Sequence, residues 1–482
     1  MTDAPDAGTA GATGTADAAG PAPRARTGRA SLLYLIGALA QGLGMFLVQP
    51  FAIRVLADDV AWQELYLSIS LIQVGVVLAS AGLPLAITRA WFDTDGHRRA
   101  RSISGFLTGF GLLLGVLAAA VFAAVRGGAP GTSTFSLALV AMGVQSSVLA
   151  AQAILRAQGR AVAFVGLSIG SSVLAYLVGL VAMLVVAPDP TVFMAGYGAV
   201  LLLTGVVAAL ITGPVLPFTV PGAIRESLAI GLPVLPHTGA LMLLTQGAPF
   251  LLAFLAAAGL SGDYGKVQIF VLGTITLLNA LNNAWVPELM RVDREQRDAR
   301  LRSIMGVASW AALGIVVVAA AGANVVTHVL AVGREDLIPV AQAMTLGTFG
   351  YALYLNASTL LFADKRTWVL PLVTPVVLVV SAGIAWLPAA AGNLVGTAVA
   401  SAVSFTLLGL AYLAVVWRRS RRGWPLGRLA AVTAAGLGYV LVLMLLPRDV
   451  VTGLVTVAVV GVAGGTGAVL VLLRRRRRAA TA

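Results

Sequence analysis

Apolar residues recur along this chain in fourteen long runs separated by short polar loops. Each run has about the 20 residues that a helix needs to cross roughly 30 Å of hydrocarbon. The runs fall at about 31–53, 64–88, 104–125, 134–156, 161–187, 191–213, 227–257, 264–288, 303–326, 337–362, 367–387, 392–416, 428–446 and 450–473. This pattern predicts an all-α polytopic membrane protein of about 14 transmembrane helices. Residues 1–30, rich in Ala, Gly, Thr, Asp and Pro without apolar periodicity, read as a disordered cytoplasmic tail. Ala38-Leu39-Ala40 mimics a signal-peptide cleavage site, but the apolar run continues to Phe51, so the first run reads as a retained helix.

Charge then orients the spans. Of the 32 basic residues only Arg54, Arg126, Lys266, Arg334 and Arg448 fall in the loops opposite the N-terminus, and the positive-inside rule predicts that both termini are cytoplasmic in a multi-pass protein of the cell (inner or plasma) membrane. The formal charge of +13 therefore reflects orientation, and no nucleic-acid partner is expected. Hydrophobic residues make up 59% of the 482, charged residues 11%, and mean hydropathy is +0.94. Little chain is left for a soluble catalytic domain, so function is expected inside the bundle. Each Asp and Glu falls in a loop or at a span end, which argues against a pump built on buried carboxylates. The absence of cysteine removes disulfides and thiolate chemistry.

Spans seven to twelve match spans one to six in length and orientation, as a parallel repeat requires. The expected organisation is a six-helix N-terminal lobe over 31–213, a six-helix C-terminal lobe over 214–417, two additional helices over 418–473 and a basic tail over 474–482, with a central cavity between the lobes.

Few residues point to chemistry. Gly259-Leu-Ser-Gly-Asp-Tyr-Gly265-Lys266-Val267 has five residues between its outer glycines where a phosphate-binding loop needs four, and it lacks the Ser or Thr. His97, His237 and His328 are too scattered for a metal site, so no metal or cofactor is expected. Asp58 and Asp59 on the first outward loop could serve a membrane-embedded glycosyltransferase, but a loop of about ten residues favours a helix cap. Uncharged polar stripes stand out more: Gln145, Gln152 and Arg156 on span four; Gln268, Thr276, Asn279, Asn282 and Asn283 on span eight; and Gln342, Thr345 and Asn356 on span ten, where Phe349 interrupts the face. Such residues either hydrogen-bond helix to helix or line a hydrated cavity suited to a hydroxyl-rich substrate. Pro233, Pro236 and Pro249 predict a bent or opened span seven, and Pro50 lies near the outer end of span one; these prolines are either gates or static kinks.

Between residues 31 and 475 the chain resembles the polysaccharide, or oligosaccharide-lipid, flippases of the multidrug/oligosaccharidyl-lipid/polysaccharide exporter superfamily. The resemblance is carried by Pro50-Phe51-Ala52-Ile53-Arg54-Val55-Leu56, Gly82-Leu83-Pro84-Leu85-Ala86-Ile87-Thr88-Arg89, Gly231-Leu232-Pro233, Gly262-Asp263-Tyr264-Gly265 ahead of span eight, and Trp285-Val286-Pro287-Glu288 at its end. It implies an alternating-access flippase, not an enzyme, that moves a polyprenyl-pyrophosphate-linked sugar to the outer leaflet for cell-surface polysaccharide synthesis, alongside membrane lipids and polysaccharide-assembly enzymes. Arg54 stands where relatives carry a cavity arginine, Arg89 at the cytoplasmic mouth. With Arg156 they would engage phosphate, while Asn279, Asn282, Asn283, Gln342 and Asn356, with Gln145 and Gln152, would face sugar or water. Arg54 could instead pair with Asp58 or Asp59 at the interface. The chain departs from the resemblance at Gln246-Gly247, where many relatives have an acidic residue. A membrane-embedded glycosyltransferase, ligase or polymerase, and a drug or small-lipid exporter of the same superfamily, remain the alternatives.

Overall fold

All fourteen apolar runs are helical in the computed structural model, which describes residues 24–56, 58–129, 131–291 and 296–480; the expected tail up to residue 23 lies outside them. In chain order the helices are α1 (Arg24–Leu56), α2 (Asp59–Ser80), α3 (Leu83–Ala90), α4 (Gly96–Arg126), α5 (Thr134–Ala157), α6 (Ala161–Ile169), α7 (Ala175–Val185), α8 (Pro190–Thr212), α9 (Ala223–Gly231), α10 (Leu235–Leu255), α11 (Leu260–Val267), α12 (Ile269–Arg291), α13 (Arg297–Leu330), α14 (Ile338–Thr345), α15 (Gly347–Ala363), α16 (Leu370–Ala390), α17 (Leu394–Ser420), α18 (Leu426–Leu445) and α19 (Val450–Ala480). No strand occurs among the described residues. A backbone in lipid must satisfy its own polar groups, and helices do so within one segment. Twelve helices among the described residues are long and apolar enough to cross a membrane. The tenth run is divided between α14 and α15, and the last contributes the shorter apolar stretch Val450–Thr466.

The tail expected to be disordered and the basic C-terminal tail are both partly helix. The first helix already begins at Arg24, and α19 continues to Ala480, because Ala and Arg are good helix formers that extend a helix past its apolar stretch.

Buried apolar residues gather in separate clusters: residues between Val48 and Ala208, a smaller group between Ala81 and Ala223, and one between Leu244 and Trp424. The first half of the chain thus packs on itself and the second half does the same. Small residues allow close helix contacts within each half. A Cβ on Gly143 would lie 2.5 Å from the Gly111 carbonyl oxygen between α4 and α5, and one on Gly409 would lie 2.5 Å from that of Gly350 between α17 and α15. Large apolar side chains such as Leu113, Val121, Val181, Leu203, Val318 and Val379 point outward, where a lipid-facing surface places them. The α18 helix packs beside α13, through a small cluster that joins Val316 and Ala320 to Val440 and Leu443.

Breaks within spans position the site. Span two kinks at Ala81 and Gly82, both with positive φ, before α3. In span five a π-helical turn at Gly170–Leu174 separates α6 from α7, and in span seven a 3-10 turn at Leu232–Val234 joins α9 to α10. Pro233 lies in that turn, where its missing N–H is accommodated. Span eight breaks at Gln268, so the Gly262-Asp263-Tyr264-Gly265 segment expected ahead of the span is itself the helix α11. Glycine at 259, with φ near +90°, turns the chain into that helix.

Candidate functional site

A cavity of about 390 Å³ opens where the two halves meet. Its walls come from α1 and α2, from Gln145 and Leu149 of α5, from the π-helical turn with Tyr176, and from α10, α11 and α12. The π turn matters locally, since an extra residue per turn re-aims side chains. It brings Ser171 and Ser172 to the cavity, and the Ser172 hydroxyl donates to the carbonyls of Ala40 (3.1 Å) and Gln41 (2.9 Å) on α1.

A chain of carboxamides joins the halves across the cavity. The Tyr66 hydroxyl donates to Gln268 Oε1; Gln268 Nε2 donates to Gln246 Oε1 at 3.2 Å and to the Thr245 carbonyl at 2.8 Å; and Gln246 Nε2 donates to Gln73 Oε1 at 2.7 Å. Nearer the outer end, Gln49 Nε2 on α1 donates to the Lys266 carbonyl at 2.8 Å.

Beyond this chain an ion cluster closes the end of the bundle opposite the arginine-rich face. Lys266 Nζ lies 2.5 Å from Asp59 Oδ1 and 2.9 Å from Asp263 Oδ1, and Arg334 reaches Asp263 at 2.6 Å and Asp336 at 3.0 Å. Asp59 belongs to the first half, the other four to the second. Lys266 and Asp263 have side chains only 6% and 5% exposed, and a charge so buried needs its partner. The hydrogen bonds from Arg334 hold the Asp336 carboxyl below its usual range. Two neutral bonds reinforce the seal: Trp62 Nε1 to the Gly262 carbonyl (3.0 Å) and the Gly259 amide to Gln63 Oε1 (3.0 Å).

Toward the arginine-rich face the side-chain and backbone ties between the halves among the described residues lie on one side. There a Cβ on Gly231 would lie 2.3 Å from the Ala81 carbonyl oxygen, a backbone-to-backbone contact between the kinks of spans two and seven, and Arg99 pairs with Glu226. On the other side α1 bonds within its own half, with Gln41 Nε2 3.0 Å from Gln152 Oε1, while α12 bonds within its own, with the Tyr351 hydroxyl donating to Asn279 at 3.1 Å.

Comparison with solved structures places this architecture. The lipid II flippase MurJ in an inward closed conformation aligns with a TM-score of 0.61 at 12% identity, over 92% of this chain and 99% of MurJ. A MATE protein in complex with MaD3S aligns at 0.57 and 15% identity, over 83% and 97%. A MOP-superfamily transporter from Pyrococcus furiosus aligns at 0.53 and 14%, over 83% and 96%.

The chain shares its fold with these solved structures.

No sequence-family model and no curated protein matches the chain. Within this fold the residues singled out from sequence separate into three groups. Gln145, Gln268 and Thr276 line the cavity, as does Gln246, noted above as a departure. Others are packed elsewhere: Gln152 donates to Ser168 (3.1 Å), Asn282 accepts from Trp285 (2.9 Å), and Gln342 and Asn356 are buried inside the second half. Asn283 is exposed on α12. The stripe on span eight is divided by the break at Gln268: Gln268 meets Gln246 and Tyr66 at the cavity, whereas Asn279 meets Tyr351 inside the second half.

The three arginines are not brought together in this conformation. Arg54 donates to the Val329 carbonyl of α13 at 3.2 Å, Arg89 is exposed on α3, and Arg156 sits over the Phe164 ring. Each occupies a helix end, where a long side chain reaches the surface more readily than the bundle centre. Asp58 caps α2 by accepting from the amides of Val60 and Ala61. Among the prolines, Pro50 lies within α1, Pro236 opens α10, and buried Pro249 accepts at its carbonyl from Ser261 (2.7 Å). His237 packs in the second half, Nδ1 2.8 Å from Thr374 Oγ1, with the hydroxyls of Tyr354 and Tyr412 at 3.3 Å. No group of residues that could hold a metal occurs among the described residues.

Sequence reasoning missed Gln41, Gln49, Gln73, Tyr66, Ser171 and Ser172. The glutamines had a readable signal, since each interrupts an apolar run where a bare amide is costly.

Proposed function

We propose that this chain is an alternating-access flippase. It moves the polar head of a polyprenyl-pyrophosphate-linked oligosaccharide from the cytoplasmic to the outer leaflet during cell-surface polysaccharide synthesis. The observation that carries the reading is the amide-studded cavity at the seam of two self-packed halves, sealed at one end by ion pairs that cross the seam. A carrier needs one solvated site and a seam that can part at either end. The basic face is cytoplasmic on this reading, so the sealed end faces outward and the conformation is the one that receives substrate from inside. The flippase MurJ shares the fold, which agrees with this reading.

The enzyme alternative is disfavoured by the two acids it needs. Asp58 is engaged as a helix cap and Asp59 in the ion cluster, and neither lines the cavity.

The test uses the chain's freedom from cysteine. A Cβ built on Gly262 lies 3.0 Å from Gln63 Cβ, shorter than the roughly 3.5–4.5 Å of a disulfide, so Gln63→Cys with Gly262→Cys needs the two helices to part slightly before oxidation locks the outer seal. In the native host, oxidation should trap complete lipid-linked repeat units on the cytoplasmic leaflet, and reduction should release them. Truncated units would indicate a glycosyltransferase. Complete units stalled on the outer leaflet would indicate a polymerase. Altered drug resistance with normal polymer would indicate a drug exporter.

A further inference from the structure

The cavity wall is largely apolar, and the polar groups set into it are uncharged amides and hydroxyls. Among the described residues its wall holds no Lys, Arg, Asp or Glu, yet it holds six glutamines. Two cations at the sealed end are already engaged: Lys266 by Asp59 and Asp263, Arg334 by Asp263 and Asp336. An anion entering the cavity would lose its water without gaining a counter-charge, and a cation would find no carboxylate.

The hydrogen-bond account of the glutamines defines what does fit. Gln41, Gln49, Gln246 and Gln268 spend amide hydrogens on protein acceptors, and Gln73, Gln246 and Gln268 accept from protein donors. Gln145 Oε1 is buried against the cavity and receives no hydrogen bond from the protein, and the Gln73 amide hydrogens have no protein acceptor among the described residues. Among the described residues the side-chain oxygens of Gln41, Gln49 and Gln145 receive no protein donor and the amides of Gln73 and Gln145 have no protein acceptor, so the site offers free acceptors and free donors side by side. A hydroxyl group supplies both roles from a single atom, whereas a carboxylate or phosphate oxygen can only accept. Between these amides stand Tyr66, Tyr176, Tyr197 and Phe46, whose rings suit the C–H faces of a pyranose.

We infer that the cavity binds an uncharged, polyhydroxylated head, a neutral saccharide, and rejects sugars that carry carboxylate, phosphate or amine. Gln145 and Gln73 are its specificity-determining residues. The diphosphate of the lipid carrier stays outside the cavity. This rests on the lipid-linked sugar reading above and narrows it to one class of sugar.

The test is a pair of probes that differ at one carbon: farnesyl-diphosphate-linked glucosyl-glucose, and the same lipid with a terminal glucuronic acid in place of the terminal glucose. Native mass spectrometry of the solubilised full chain, with farnesyl diphosphate as the tail control, gives their relative affinities. The neutral glycolipid should bind at least tenfold more tightly than the uronate and than the tail alone. Gln145→Leu should lower its affinity about tenfold while leaving binding of the tail unchanged, and Gln145→Lys should raise the affinity for the uronate. Equal binding of the two sugars, or preference for the uronate by the unmodified chain, would overturn the neutral-head inference and leave the flippase reading standing. Binding of neither sugar beyond the tail control would overturn the lipid-linked sugar reading and this inference with it.

Discussion

Replacing Asp59 by Asn tests the outer seal with little change of shape. Asp59 is the one residue of the first half in the ion cluster, and Lys266 keeps its buried partner Asp263 when Asp59 is neutralised. The Asp59 carboxylate is 52% exposed, so its bond to Lys266 carries the value of a solvated pair at the upper end of the usual range, about 1 kcal/mol. Asp59 also lies in the first turn of α2, where a negative charge favours the helix, but that contribution is common to closed and open states and does not bias them. A shift of about 1 kcal/mol changes the ratio of outward-closed to outward-open molecules about fivefold. Spin labels at Val60→Cys and Val332→Cys, both exposed at the sealed end and unique in a chain without cysteine, report that ratio by double electron–electron resonance. Asp59→Asn should increase the long-distance population about fivefold at low salt. Raising the salt to about 1 M, where the screening length is about 3 Å, should move the unmodified chain the same way. Distance distributions that are identical in the two chains at low salt would refute the assignment of the cluster as a gate.

Other expectations follow from the same contacts. Gln246→Leu removes a donor to Gln73 and an acceptor for Gln268, both across the seam or next to it, and should lower the midpoint of thermal unfolding by an amount equivalent to about 1–3 kcal/mol; an unchanged midpoint would show that the amide chain bears no load. Gly350→Val places a Cβ 2.4 Å from the backbone of Phe405 and Thr406, which cannot swing aside, so a loss of about 1–3 kcal/mol or more is expected, and normal yield and stability would contradict the packing of α15 on α17. Arg54→Ala removes only a hydrogen bond to Val329 and should leave glycolipid affinity unchanged; a loss of binding would put Arg54 in the substrate path. Asp336 has a carboxyl held below its usual value chiefly by hydrogen bonds from Arg334, so the stabilisation it contributes is present above the ordinary carboxylate range and is lost as pH falls through the lowered value. Hydrogen exchange in residues 331–337 should accelerate below about pH 4, and Asp336→Asn should abolish that dependence.

Much of the architecture was legible because hydrocarbon imposes a strong rule on sequence. A run of apolar residues long enough to span the bilayer has few folded fates other than a helix, and all fourteen runs are helical. Breaks were less legible. Pro233 announced the turn in span seven, but the break at Gln268 and the π turn at Gly170–Leu174 carry no proline and depend on what packs against them. The reading of Asp263 and Lys266 as a loop followed from their charge; their mutual pairing, with Arg334 and Asp59, makes a helical, buried position tolerable.

For the site, stripe analysis reached Gln145, Gln268 and Thr276 but also selected Gln342 and Asn356, which face into the second half. A polar stripe has the same sequence appearance whether its neighbour is a cavity or another helix. The helical class and the charge asymmetry of the loops were therefore settled by sequence alone, since each depends on local length, hydropathy and the placement of arginines. Which amides meet across the seam, which cations are already paired and why the cavity carries no charge were decided only by tertiary structure, because each depends on residues up to about two hundred positions apart, such as Asp59 and Lys266, reaching the same few ångströms.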